Sequence, residues 1–127
     1  MGCMSYNKAI IKGILLQIQT ALEQLQAWNS DISSSNDYTD SPDGMKTLAA
    51  TSMLLESIGE GFKKIDNKTQ GTLLVLRPEI PWKDVMGMRN HIAHGYFDID
   101  ADIIFDVVKN HLAPLNDAVQ FLIEELA

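Results

Sequence analysis

The sequence predicts an all-α protein, a bundle of four to five helices forming a single domain over residues 1–127. Three observations lead there. Long stretches of the chain repeat apolar residues three and four apart, the period of an amphipathic helix. Only one segment, from Thr72 to Arg77, could be a strand on periodicity alone, and no second strand exists to pair with it. The 127 residues are 46% apolar, which is enough to fill one core at the size of one ordinary domain.

The first helix is expected over 6–28, where Ile10, Ile11, Ile14, Leu15, Ile18 and Leu22 hold the helical spacing. Residues 29–44 then collect Ser, Asn, Asp, Pro and Gly, the composition of a long, flexible, solvated loop. A second helix follows over 45–67, with Leu48, Leu55, Ile58, Phe62 and Ile65 in register. Within it, Ser52 and Gly59 are small residues seven apart, where another helix can come close. Residues 72–77 are expected as a short helix. Pro78 and Pro81 turn the chain, and Pro81 suits the start of a helix because its missing N–H would go unpaired there. The third main helix is expected over 82–95, with Trp82, Val85, Met86, Arg89, Ile92 and Ala93 near one face. Asp100 is a natural N-cap for the last helix, Asp102 complements its dipole, and Pro114 should kink it.

Composition narrows the function classes. No apolar run approaches the roughly 18 residues of a membrane span, and the first 25 residues lack a basic start followed by an apolar stretch. A cytoplasmic protein is expected. The start Met-Gly-Cys-Met-Ser misses the myristoylation pattern by one position, at Ser5. Cys3 is the only cysteine, which excludes an intrachain disulfide and a cysteine-rich zinc site. A net charge of −7 leaves no broad basic surface, so any contact with nucleic acid must be made in a local cleft. The two arginines, Arg77 and Arg89, are therefore each candidates for phosphate binding.

Chemistry concentrates between Met88 and Phe97, where Arg89, Asn90, His91, His94 and Tyr96 fall within about two helical turns. On one continuous helix Asn90 and His94 share a face, whereas Arg89 and His94 stand roughly 140° apart. The two converge if they bend into a common groove, or if a second copy of the chain supplies the missing half, as a two-fold homodimer does. Simpler roles compete for the same residues. Arg89 could form a surface salt bridge with Asp84 or Glu79, His94 could be packed and hydrogen-bonded, and Tyr96 could be a core aromatic. His91 and His94 form a conceivable metal pair, but the pattern offers no third ligand. His111 has no polar companions in the sequence and reads as structural. Lys63, Lys64 and Lys68 give the second helix a basic end that opposes its dipole, the ordinary alternative to RNA binding.

The run Arg89-Asn90-His91-Ile92-Ala93-His94 resembles the Arg-x4-6-His signature of the HEPN superfamily, with its usual polar residue after the arginine present as Asn90. Gly95-Tyr96 extends the match to Arg-x4-His-x-Tyr, the form seen in HepT toxins. The similarity runs on from Trp82 through Asp98-Ile99-Asp100 to Leu112-Ala113-Pro114-Leu115, and the order of helices agrees. The resemblance implies a HEPN-type homodimer and a metal-independent endoribonuclease without cofactor, working in a cleft between protomers as the toxin of a toxin-antitoxin pair. RNA would be the substrate, tRNA being one candidate. Arg89 would neutralise the scissile phosphate, His94 would move protons, and Asn90 would support them. Tyr96 would be the residue that an MntA-type nucleotidyltransferase antitoxin silences with AMP. The alternative is a non-catalytic HEPN module that binds a nucleotide or a partner nucleotidyltransferase.

Overall fold

Asn7 starts the first helix, its side-chain oxygen accepting from the amides of Ala9 and Ile10 at 3.0 and 3.2 Å. The helix, α1, runs over Lys8–Trp28 in the computed structural model, which describes residues 6–92, 95 and 97–127. Its buried stripe of Ile11, Leu15, Ile18, Leu22 and Leu25 follows the predicted spacing, whereas Ile10, placed on the stripe by the same spacing, is exposed and Ile14 is only half-buried.

The stretch expected as a solvated loop, 29–44, is more structured than its composition suggests. It holds a single helical turn, α2 (Asn36–Thr39), and the long helix α3 (Pro42–Lys68) already begins inside it. Ser41 caps α3 by accepting from Gly44 N at 2.9 Å, with Pro42 at the position that loses nothing by lacking an N–H. Tyr38 ties the segment down. Its side chain is wholly buried, and its hydroxyl donates to Asn29 Oδ1 at 2.6 Å. Asn29 Nδ2 donates in turn to Leu25 O at 2.9 Å and to Thr51 Oγ1 at 3.0 Å, so one buried polar chain links α1, α2 and α3. Burial pushes the Tyr38 phenol up to about 12, because the charged form would lose its water.

α3 is the axis of the bundle and packs on α1, α2 and the later helices α4 (Trp82–Met86), α5 (Arg89–Ile92) and α6 (Ala101–Asn110). The last helix, α7 (Leu112–Glu125), lies on α1 and α6. The ambiguous apolar run near 72–77 is a single 3-10 turn over Leu74–Leu76. These elements make an all-α bundle, as the helical periods predict. Two expected helices are each divided. The third is interrupted at Gly87 between α4 and α5, where glycine's backbone freedom makes helix interiors weak. The fourth is not merely kinked but broken at His111, because Pro114 cannot donate to the carbonyl of Asn110 four residues earlier. Asp100 caps α6 as expected, accepting from Asp102 N and Ile103 N, both at 3.1 Å. Among the described residues no helix is long and apolar enough to cross a membrane.

Candidate active site

The position of Arg89 is set two elements earlier. Arg77 forms an ion pair with Glu79 at 2.6 Å and with Asp117 of α7 at 3.2 Å, and its guanidinium lies over the Phe121 ring at 5.2 Å. The Glu79 carboxyl is held below the usual range, chiefly by its own backbone N–H and then by Arg77. The Arg77 carbonyl accepts from Trp82 Nε1 at 3.0 Å, and the Trp82 ring packs on Phe62 of α3 with centroids 4.9 Å apart. This fixes the start of α4 against the bundle axis.

Gly59 sets how closely α4 can approach. A Cβ there would stand 2.8 Å from the Val85 carbonyl oxygen, so α4 meets α3 backbone to backbone. The small residue flagged in the sequence is thus where another helix comes close. Met88 and Ile92, four apart, then turn into the core at 7% and 1% exposure. The residues between them, Arg89, Asn90 and His91, face outward and are exposed. Arg89 therefore does not share the buried face expected of a continuous third helix. Ile92 O accepts from Asp100 N at 2.9 Å, which ties the end of α5 to the N-cap residue of α6. Gly95 takes φ +119°, a conformation that L side chains rarely adopt.

His94 and Tyr96 lie outside the described residues, so the proximity of Arg89 to His94, and the metal pair of His91 with His94, are not placed. The structure does bring Arg89 to the edge of a groove of about 570 Å³ between α1 and α3. Ile14, Ile18 and Ala21 line it from α1, and Leu54, Ile58 and Gly61 from α3. The polar lining includes Glu56, Ser57, Glu60 and Lys64, beside Gln17. Asn90 and His91 are not part of that lining.

The two arginines have opposite roles in the packing. Arg77 is committed to two carboxylates and an aromatic face, whereas Arg89 makes no ion pair among the described residues. Glu79, one of the carboxylates expected to compete for Arg89, belongs to Arg77. An exposed guanidinium without a protein carboxylate, at the edge of a groove, can take a phosphate bidentately. His111 has a companion after all: its Nε2 stands 3.4 Å from Asp106 Oδ2, while Asn110 holds the other oxygen at 2.8 Å. Lys64 is the groove residue that sequence reasoning assigned elsewhere. Its signal was the helical spacing Ser57, Gly61, Lys64, which puts these residues toward one side of α3.

Comparison with known proteins agrees with this reading of the fold. Residues 14–122 match the family model described as Ribonuclease HepT-like. A Thermococcus cleftensis protein named "Probable ribonuclease HepT" is 32% identical over 104 residues, covering 82% of this chain and 87% of the relative. A Methanocaldococcus jannaschii protein whose name designates it an RNase is 27% identical over 116 residues, covering 91% of this chain and 99% of the relative. No solved structure matches the chain. With a family match across α1 to α7 and a relative of this similarity over most of its length, the chain belongs to the HepT-like ribonuclease family.

Proposed function

We propose that the chain is a metal-independent endoribonuclease and the toxin of a toxin-antitoxin pair, with a composite site of Arg89 and His94 between the protomers of a homodimer. The observation that carries this reading is Arg89: exposed, without an ion pair among the described residues, and at the edge of a groove in a family of ribonucleases. In the reaction the 2′-oxygen of RNA attacks the adjacent phosphorus and the bond to the 5′-oxygen breaks. A base takes the 2′-proton and an acid supplies one to the leaving oxygen. Imidazole does either near neutral pH. A two-fold dimer can pair the Arg89 of one protomer with the His94 of the other, so that His94 takes the 2′-proton and returns it as imidazolium to the leaving oxygen, while Arg89 opposes the charge growing on the phosphate oxygens. Asn90, its neighbour on α5, supports the phosphate or the imidazole.

Control would act at Tyr96. An MntA-type nucleotidyltransferase would transfer AMP to its hydroxyl, placing a phosphodiester beside Arg89 that competes with RNA for the same guanidinium. The test is cleavage of RNA, tRNA included, by purified protein in excess chelator. Cleavage that persists in chelator and disappears in Arg89→Ala is the expected result. A requirement for added divalent metal, lost again in His91→Ala, would support the two-histidine metal site instead. Expression of the chain alone should arrest growth and degrade RNA, and a chain that does neither would be a non-catalytic binding module.

A further inference from the structure

The groove edged by Arg89 is lined by a second cation. Lys64 enters it from α3, and the helix dipole does not account for its position. The last turn of α3 contains Lys68 and not Lys64, and the favourable effect of a cation fades beyond that turn. Nor is Lys64 engaged along its own helix. Glu60 precedes it by four residues, the favourable order for an intrahelical pair, yet among the described residues Lys64 makes no ion pair. Both lining acids, Glu56 and Glu60, likewise leave Arg89 without a pair. The α1 side is close-packed beneath: a Cβ on Gly61 would stand 3.0 Å from Ile18 Cδ1.

A chain of net charge −7 cannot hold RNA by a diffuse basic surface, so its phosphate contacts must be few and local. We infer that Lys64 is one of them, a second RNA-phosphate contact that holds a backbone phosphate next to the one at Arg89 and lays the strand along the α1–α3 groove. The inference rests on the ribonuclease reading above. A lysine ammonium suits this position because it binds phosphate as a compact point charge and leaves oriented, bidentate binding to the arginine.

The test compares Lys64→Ala with Lys63→Ala and Lys68→Ala, two exposed lysines of α3 outside the groove lining. Binding of a single-stranded 2′-deoxy oligonucleotide, which lacks the attacking hydroxyl, is followed against salt, and cleavage of the matching RNA is measured alongside. Lys64→Ala should weaken binding several-fold and reduce the slope of log affinity against log salt by about 0.7. In cleavage its loss should fall on KM rather than kcat, and Lys64→Arg should restore it. An unchanged slope and KM, or changes no larger than those of Lys63→Ala and Lys68→Ala, would overturn the inference. So would a loss accompanied by a lower oligomer mass, which would make Lys64 a contact between protomers. The unaltered protein separates the two levels: if it does not cleave RNA, the ribonuclease reading fails, whereas if it cleaves RNA, Arg89→Ala is inactive and Lys64→Ala is normal, only the Lys64 assignment fails.

Discussion

Two arginines of one chain meet opposite fates, and the difference predicts opposite phenotypes. Arg77 joins the turn before α4 to α7 through Glu79, Asp117 and Phe121, so Arg77→Ala should lower the melting temperature. Among the described residues Arg89 makes no such ties, so Arg89→Ala should keep the melting temperature and lose cleavage. His94→Ala should lose cleavage by about 10² to 10⁴, the usual worth of a positioned acid or base. His91→Ala and His111→Ala should retain most activity. Tyr96→Phe should stay folded and active yet escape silencing; nucleotidyl transfer persisting in this variant would show that another residue accepts the AMP. Tyr38 gives a test by titration. Its phenol is raised from the ordinary value near 10 to about 12, so its contribution to stability is full below pH 10 and is lost as pH rises through the folded value. Ultraviolet titration should show one tyrosine ionising late. Tyr38→Phe should remove that late step and destabilise the fold by about 1 to 3 kcal/mol, since Asn29 Oδ1 loses its buried donor.

At the level of elements, the contact between α3 and α4 decides where Arg89 points. Gly59→Ala places a methyl against the Val85 carbonyl, and should cost about 1 to 3 kcal/mol and lower cleavage as α4 and α5 shift. Gly13→Ala is the matching control. A Cβ there meets nothing within 4 Å, so this substitution within α1 should leave stability equal or raise it by about 0.5 to 1 kcal/mol. Thermal unfolding and cleavage of both variants check the pair, and equal behaviour would remove Gly59 from the account. Much at this scale was legible in the sequence. Apolar spacing located α1 and α3, Asp100 announced α6, and Gly59 marked a close approach. The misses have physical causes. One buried side chain, Tyr38, orders a segment whose composition reads as loop, and composition does not register a hydrogen bond from Tyr38 to Asn29. Spacing over 82–95 and 101–123 runs straight through Gly87 and Pro114, because an apolar stripe continues across a break when both halves face the same core. That Lys64 lines the groove of Arg89 was not legible either, because a lysine near a helix end has an ordinary electrostatic reason to be there and only the packing of α1 on α3 brings it to the groove.

For the whole molecule, the charge of −7 and the separation of Arg89 from His94 along the chain both favour a site built from two protomers. Solution mass should correspond to a dimer at micromolar concentration, and nucleotidylation at Tyr96 should abolish RNA binding without changing that mass. The most direct test is complementation between two inactive variants. Arg89→Ala and His94→Ala are purified separately, mixed in equal amounts under conditions that exchange protomers, and assayed for RNA cleavage. If each site takes Arg89 from one protomer and His94 from the other, half the dimers are mixed and each regains one intact site, so activity should return to about one quarter of wild type. A mixture that exchanges protomers and remains as inactive as its components would contradict the composite site.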